Sequence, residues 1–343
     1  MPAPRDTAVL YVTHPIFSEH ETGPFHPERI ARLRAVEQGV QGAGLPIRTL
    51  SPPKADRGVL ELVHLPSYLD AVQRFCEAGG GHLDPDTVVV PTSWEAALRA
   101  AGAGPAAVAA MSAADDLTVA FLALRPPGHH ATPDRAMGFC LINNIGVTAG
   151  WLALQGARVA IVDWDVHHGN GTQAMFYRHP GVLYLSIHQF PFYPYEGRAE
   201  EVGEGPGIGT TVNIPVPAGT AGDAYRVAWE EIVAPVLTQF EPDWLLVSAG
   251  YDAHFEDPLA ELRLESSDFG WMASRLAAIR GSKPVLLFLE GGYHLPALTA
   301  SVSSSLRGLC GETLEPGTEF LSNDDAFRSI ERARLVAGKF WSL

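Results

Sequence analysis

The stretch RVAIVDWDVHHGN, residues 158–170, decides the fold that this sequence predicts. Its first half is a short apolar run rich in β-branched residues, which is typical of a strand buried on both faces of a sheet. Its second half is polar, so aspartate and histidine side chains follow directly where the strand ends. Because ligands of parallel sheets bind beyond the carboxyl ends of the strands, the stretch predicts both a parallel sheet and a site at its edge.

Similar apolar runs alternate with longer Ala-rich stretches, and this alternation is typical of βαβ units. Further strands are predicted at 7–12, 118–124, 182–187, 244–249 and 284–289. Helices are predicted at 27–40, 67–78, 93–111 with an interruption near Gly104-Pro105, 143–154, 221–240 and 267–279. We therefore expect an α/β fold with a mostly parallel central sheet, helices on both faces and the active site at the C-terminal ends of the strands.

No internal repeat or low-complexity linker divides the 343 residues, so we predict a single domain over residues 1–343. Its motif-bearing core spans about residues 8–305, and a helical tail spans about 311–343, with a helix at 324–336. The loop at 189–209 is packed with Pro, Tyr, Phe and Gly, which is typical of a loop that shapes a binding site.

Composition excludes several classes of protein. The net charge of −15, without a Lys/Arg cluster, argues against nucleic-acid binding. The N-terminal segment contains only a five-residue apolar run, Ala8 to Val12, which is too short for a secretory signal or a membrane span, so we expect a cytoplasmic protein. The three cysteines are far apart, which predicts neither a disulfide framework nor a thiolate metal site. Arginine dominates the basic residues and Ala and Gly are abundant, which suggests a bacterial source.

Polar residues follow five of the predicted strands and should converge on one crevice. They are Arg125-Pro-Pro-Gly-His-His130, Asp163 to Asn170, Ser186, Gly250-Tyr-Asp252 and Glu290-Gly-Gly-Tyr293. Residues two apart in extended chain share a face, so Asp163, Asp165 and His167 point the same way. With Asp252, Asp165 and His167 make three ligands and leave one position open, as in catalytic zinc sites. The alternative is that the aspartates cap the next helix and His167 is an ordinary loop histidine.

The dipeptides His129-His130 and His167-His168 favour the functional reading, because burying four histidines at adjacent strand ends is costly without partners. A histidine with a near-neutral pKa is a natural general base, and Asp163 and Asn170 are suitable hydrogen-bond partners for the first pair. Tyr293 follows two glycines and is suited to donate to a developing oxyanion, although a tyrosine after two glycines is more often a packing residue.

In combination, these motifs resemble those of the histone deacetylase superfamily, which includes acetylpolyamine amidohydrolases and has an arginase-like α/β fold. The resemblance covers roughly residues 8–305, with Gly138-Phe-Cys140 as a further motif. His26-Pro27-Glu28-Arg29 and Asn170 resemble the class II pattern.

The resemblance implies a zinc-dependent amidohydrolase that removes acetyl or other acyl groups from the side-chain amine of lysine by attack of a metal-bound water. One zinc ion per chain would be held by Asp165, His167 and Asp252. The implied catalytic residues are His130 as general base and acid, His129 and Asp163 as electrostatic support, Asn170 as the partner that keeps the pKa of His130 low, and Tyr293 as the group that polarises the carbonyl. A structural potassium ion would be held by Asp163, Ser186 and backbone carbonyls.

Phe139 and Tyr193 match the aromatic walls of the family's acyl-lysine tunnel, with Gly138 and Leu259 beside them, although both aromatics could equally belong to the core. Leu259 stands where a polyamine-selective relative carries an acidic residue, which favours acyl-lysine. Tyr195 and Glu196 depart from the family pattern and are expected to narrow or charge the entrance.

The expected partners are an acyl-lysine peptide or protein, or a small acylated amine, with no nucleic acid and no membrane; an oligomer is compatible with the sequence. An acetylpolyamine deacetylase is the alternative function, and a non-catalytic acyl-lysine binding protein is the second. A binuclear manganese hydrolase of the arginase type is disfavoured, because a second metal needs further ligands.

Overall fold

The computed structural model describes residues 8–343; the first residue of the predicted first strand, Thr7, lies outside them. The strands are β1 (Val9–Val12), β2 (Ile47–Leu50), β3 (Gly81–Asp84), β4 (Thr87–Val89), β5 (Val119–Leu122), β6 (Val159–Asp163), β7 (Val182–Gln189), β8 (Thr211–Val216), β9 (Trp244–Ala249) and β10 (Val285–Leu289). The helices are α1 (Ala31–Gly42), α2 (Arg57–Leu60), α3 (Pro66–Glu77), α4 (Ser93–Ser112), α5 (Asn144–Leu154), α6 (Asn170–Phe176), α7 (Gly222–Ala228), α8 (Ala234–Phe240), α9 (Ser266–Arg280), α10 (Leu295–Leu309) and α11 (Asp324–Ala337).

Eight strands form one sheet in the order β2-β1-β5-β10-β9-β6-β7-β8, and every pairing is parallel. All six predicted strands belong to it. β3 and β4 form a separate antiparallel hairpin. The predicted α/β fold with a mostly parallel sheet is confirmed.

Both faces of the sheet are buried, as the apolar runs predicted. Along β6, Ala160 and Val162 pack into one apolar layer, while Val159 and Ile161 pack into the other. This alternation places one layer of the core on each face, and helices cover both layers. Polar residues are therefore confined to the strand ends.

Two strands at the edges of the sheet, the hairpin and α10 were missed by the sequence pattern. The side chains of β2 are mostly exposed, so the strand has no buried apolar pattern. β8 contains Pro215, which an edge strand tolerates but which weakens the strand signal. The serine-rich sequence of α10 hides the helical spacing of Leu298, Val302 and Leu306.

The predicted interruption of the third helix is wrong, because α4 continues through Gly104-Pro105. Pro105 removes one backbone hydrogen bond, but close packing supports the helix there. A Cβ atom on Gly104 would lie 1.8 Å from Thr148 Oγ1 of α5, so the glycine allows the two helices to approach. In the predicted helix at 221–240, a five-residue π-helical segment, Trp229–Val233, joins α7 to α8.

The C-terminal segment packs on the sheet end that carries β8. α11 contacts β8 and α7, and Trp341 Nε1 donates a hydrogen bond of 2.9 Å to Gly209 O. The predicted domain limits, a core of about 8–305 and a tail of about 311–343, stay a prediction. Among the residues that the structure describes, no helix combines the length and apolarity needed to cross a membrane.

Candidate active site

The site lies where the central strands end, because β5, β10, β9 and β6 are neighbours in the sheet. The loops that follow them meet in one pocket, whose wall includes the predicted residues His129, His130, Gly138, Phe139, His167, Tyr193, Leu259 and Tyr293. The other predicted residues, Asp163, Asp165, Asn170, Ser186 and Asp252, are buried next to this wall.

Asp165, His167 and Asp252 converge on one point. Each offers one ligand atom, and these atoms lie within 4.8 Å of one another. His167 Nδ1 is 3.1 Å from Asp165 Oδ1 and 3.2 Å from Asp252 Oδ2, yet Asp252 Oδ2 is buried without a hydrogen-bond partner. A buried carboxylate oxygen without a partner is costly, and two carboxylates with one imidazole are ligands that Zn²⁺ prefers. These residues therefore fit a zinc ion.

Two glycines bring backbone close to the carboxylates of this group. A Cβ atom on Gly291 would lie 1.9 Å from Asp252 Oδ2, and one on Gly250 would lie 2.0 Å from Asp165 Oδ2. Gly291 N also donates a hydrogen bond of 2.8 Å to Asp165 Oδ2. Only glycine fits at positions 250 and 291, because the carboxylates of Asp165 and Asp252 occupy the space that a Cβ atom would need.

Within this group of three residues, the charges of the members shift one another's pKa values. Burial lowers the pKa of His167, but the adjacent carboxylates of Asp165 and Asp252 raise it to about 10. In the opposite sense, burial raises the pKa of Asp165, while His129 and His167 bring it well below its usual range. Without a cation, a proton therefore stays on His167, and a metal ion has to displace it.

The two tandem histidines have different partners. His129 Nδ1 lies 3.1 Å from Asp163 Oδ2, whereas His130 Nδ1 lies 2.9 Å from Asn170 Oδ1. An amide oxygen only accepts, so this pairing assigns the proton of neutral His130 to Nδ1. Nε2 of His130 is then free to accept a proton.

The same partners separate the pKa values of the two rings. Burial lowers the pKa of His129, but the carboxylates of Asp165 and Asp163 raise it to about 10. Burial, together with the charge of His129, lowers the pKa of His130 well below its usual value. At neutral pH the pair thus combines a cation with a neutral base.

Asp163 accepts hydrogen bonds from several directions. Its Oδ2 accepts from Tyr184 Oη at 3.1 Å as well as from His129, and its Oδ1 accepts from Asp165 N at 3.2 Å. Ser186 lies opposite Asp163 in the register of β6 and β7, and its Oγ is 2.9 Å from His188 Nδ1. Sequence reasoning missed Tyr184, although its period-two spacing from Ser186 places both on one face of β7.

Glu290 connects the tandem histidines to the segment of Tyr293, a role that its position at a strand end did not reveal. Its carboxylate is fully buried, and Oε2 accepts from Gly128 N at 2.7 Å and from His129 N at 3.2 Å. Gly292 has a φ of +113°, which favours glycine at the turn before Tyr293.

A buried ion network connects Glu28, in the His26-to-Arg29 motif, to the motifs that form the site. Glu28 accepts hydrogen bonds from Arg125 at 2.8 Å and from Arg32 at 3.1 Å. Burial raises the pKa of Glu28, but Arg125 brings it down to about 2, so the carboxylate stays charged. Arg32 Nε also donates to Gly292 O at 2.7 Å, which links the network to the Tyr293 segment.

Aromatic rings form much of the pocket wall. Tyr193 packs edge-on against His130 with 5.3 Å between centroids. Gly138 has a φ of +55°, and a Cβ atom on it would lie 2.4 Å from His130 Cδ2. Sequence reasoning missed Phe192, which stacks on His167 at 5.3 Å, and Asp86, which also lines the pocket.

Tyr195 and Glu196, which were expected to narrow or charge the entrance, lie outside the pocket wall. Both side chains are exposed, Tyr195 by 72%, and neither belongs to the pocket wall. Tyr195 has a φ of +69°, a left-handed conformation, which turns the loop immediately after the wall residue Tyr193.

Comparison with known proteins gives consistent matches over most of the chain. The model of the histone deacetylase domain matches residues 26–309. A histone deacetylase-like amidohydrolase of Pseudomonas aeruginosa is 39% identical over 339 residues, 95% of this chain and 87% of that protein. A probable deacetylase of Archaeoglobus fulgidus is 36% identical over 356 residues, 96% and 98% of the two chains. The crystal structure of the HDA15 HD domain superposes with a TM-score of 0.90 at 32% identity, covering 98% of this chain and 96% of that one.

Proposed function

Because the chain belongs to the histone deacetylase family and shares its arginase/deacetylase-like fold, we propose that it is a zinc-dependent deacylase that acts on acylated lysine side chains. Family membership and relatives named deacetylase and amidohydrolase support hydrolysis of an amide. The observation that carries the zinc proposal is the convergence of Asp165, His167 and Asp252 beside the neutral base His130.

Each residue then has a task that its contacts suit. Asp165, His167 and Asp252 would hold the zinc ion, which when bound polarises an acyl carbonyl and makes water a better nucleophile at neutral pH. His130 Nε2 takes the proton of the attacking water and passes it to the leaving amine. His129 supplies fixed positive charge, and the Tyr293 hydroxyl donates to the carbonyl oxygen.

The walls of the pocket support lysine as the amine. Phe139, Tyr193 and Leu259 present carbon surface on which the aliphatic stem of lysine packs, and this packing excludes water from the reacting amide. Leu259 brings no charge to the wall, so this position gives no specific attraction for the second ammonium of a polyamine.

Comparing acetyl-lysine peptides with acetylputrescine at matched concentrations tests the substrate. We expect higher kcat/KM for the peptides, and a Leu259→Glu variant should shift the ratio towards acetylputrescine while Tyr195→Phe, outside the pocket wall, leaves it unchanged. A tenfold or greater preference of the unaltered enzyme for acetylputrescine would contradict the lysine proposal. Stoichiometric binding of acyl-lysine without turnover would instead indicate a non-catalytic binding protein.

Replacing Asn170 with aspartate should change the pH profile. A carboxylate at this position stabilises the imidazolium form and therefore raises the pKa of His130. Since the neutral ring is the base, the acidic limb of kcat/KM should move to higher pH, so that Asn170→Asp loses activity at a higher pH than the unaltered enzyme as the solution is acidified. Asn170→Gln, which keeps the amide, serves as the control. An acidic limb that stays in place in Asn170→Asp would show that His130 is not the base.

The potassium ion and the cytoplasmic location stay predictions. Asp163 and Ser186 are adjacent across β6 and β7, which supports a shared ion.

A further inference from the structure

The carboxylate of Asp257 connects two walls of the pocket through backbone hydrogen bonds. Oδ1 accepts from Leu259 N at 3.0 Å, while Oδ2 accepts from Tyr293 N at 2.7 Å and from His294 N at 3.4 Å. The residue is only 6% exposed, so water competes little for these bonds. One side chain thereby holds the loop after β9 against the loop after β10.

The segment of Tyr293 needs an anchor of this kind. It follows Gly291-Gly292, where glycine allows the backbone to turn sharply; Asp165 and Arg32 hold these two residues, and the backbone N–H of Tyr293 itself is held by Asp257. It also precedes α10, whose N-cap residue His294 makes no side-chain capping bond. Asp257 accepts from the backbone N–H groups of Tyr293 and His294, so its side chain holds the segment at the start of α10.

We propose that Asp257 is a positioning residue that sets the place of the Tyr293 hydroxyl relative to the Leu259 wall. The inference rests on the proposed function, because the task of Tyr293 is part of it. A donor to a developing oxyanion acts only when it is held at hydrogen-bond distance from the place where the charge appears. Movement of the Tyr293 segment would therefore lower turnover more than it lowers substrate binding.

Asp257→Asn is the sharpest substitution, because it keeps the shape of the side chain and turns one acceptor into a donor. Either Tyr293 N or Leu259 N then faces an N–H group instead of an oxygen. We expect kcat to fall by roughly tenfold to a hundredfold, as a displacement of about 1 Å would cause, with KM changed little.

A double-mutant cycle with Tyr293→Phe separates positioning from general damage. If Asp257 acts through Tyr293, Asp257→Asn lowers kcat in the unaltered enzyme but adds little loss in Tyr293→Phe. Asp268→Asn is the matched control, since this buried carboxylate accepts from Glu265 N at 2.8 Å and from Gly317 N at 3.0 Å outside the pocket. Asp268→Asn should lower the melting temperature without the loss of kcat that is expected for Asp257→Asn.

An equal fractional loss in both backgrounds would overturn the inference. Asp257→Ser provides a second variant if the asparagine variant does not fold. Crystal structures supply a readout without turnover: a displaced Tyr293 ring in either variant supports the inference, and an unmoved ring overturns it. Absence of hydrolysis by the unaltered enzyme would contradict the proposed function alone, and the ring position would still decide the role of Asp257.

Discussion

Replacing His130 with alanine is expected to lower kcat by roughly 10²–10⁴-fold, the usual contribution of a general base and acid. The ring is buried, its pKa is held well below its usual value by burial and by His129, and Asn170 Oδ1 bonds to Nδ1, which leaves Nε2 free to accept a proton. In the proposed mechanism this one ring takes the proton from water and delivers it to the leaving amine, so alanine removes the base and the acid together.

His129→Ala should lower kcat less than His130→Ala. The Asp163 and Asp165 carboxylates raise the pKa of His129 to about 10 against burial, so it contributes charge and not proton transfer at neutral pH. Added imidazole should restore part of the turnover of His130→Ala and none of that of His129→Ala. The reverse ranking would show that the two roles are exchanged.

Removing the metal is expected to abolish hydrolysis. Dialysis against a chelator should release one zinc ion per chain, and returning zinc should restore turnover. Asp252→Asn should prevent stoichiometric zinc binding, because Asp252 Oδ2 is the buried oxygen without another partner. Asp243→Asn is the control, since this exposed carboxylate accepts from Arg158 N, outside the pocket.

Zinc affinity should depend on pH in a defined direction. The adjacent carboxylates of Asp165 and Asp252 overcome burial and raise the pKa of His167 to about 10 in the ion-free site. Below that pH zinc displaces one proton, so its affinity should rise by about tenfold per pH unit near neutrality. Calorimetry in buffers of different ionisation enthalpy measures the released proton. Turnover that survives complete chelation, or two metal ions per chain, would contradict a mononuclear zinc site.

The centre of the sheet was predictable from the sequence because its strands are apolar on both faces. The apolar residues Val159–Val162 of β6 and Leu245–Val247 of β9 form continuous runs that identify a buried strand from the local sequence alone. β2 and β8 were not predictable, because edge strands carry exposed or proline-containing sequences that resemble loops. The same limit applied to α4, where a contact with Thr148 of α5 outweighs the local effect of Pro105.

At the site, the residues with distinctive side chains at strand ends were predictable, and the residues that hold them were not. Glu290 and Asp257 act on backbone N–H groups of segments far away in the chain, which leaves no spacing pattern. Phe192 precedes the predicted Tyr193 in an aromatic loop, and sequence alone cannot tell which ring stacks on His167.

The order of strands in the sheet also determines when the site can form during synthesis of the chain. β9 and β10 lie between β5 and β6, so the strands made first form two separate groups, β2-β1-β5 and β6-β7-β8. Until β9 and β10 leave the ribosome, β6 has no neighbouring strand on that side. Asp252, which follows β9, is then not yet beside Asp165 and His167. Zinc binding as proposed would therefore follow the pairing of β9 with β6, which brings Asp252 to Asp165 and His167.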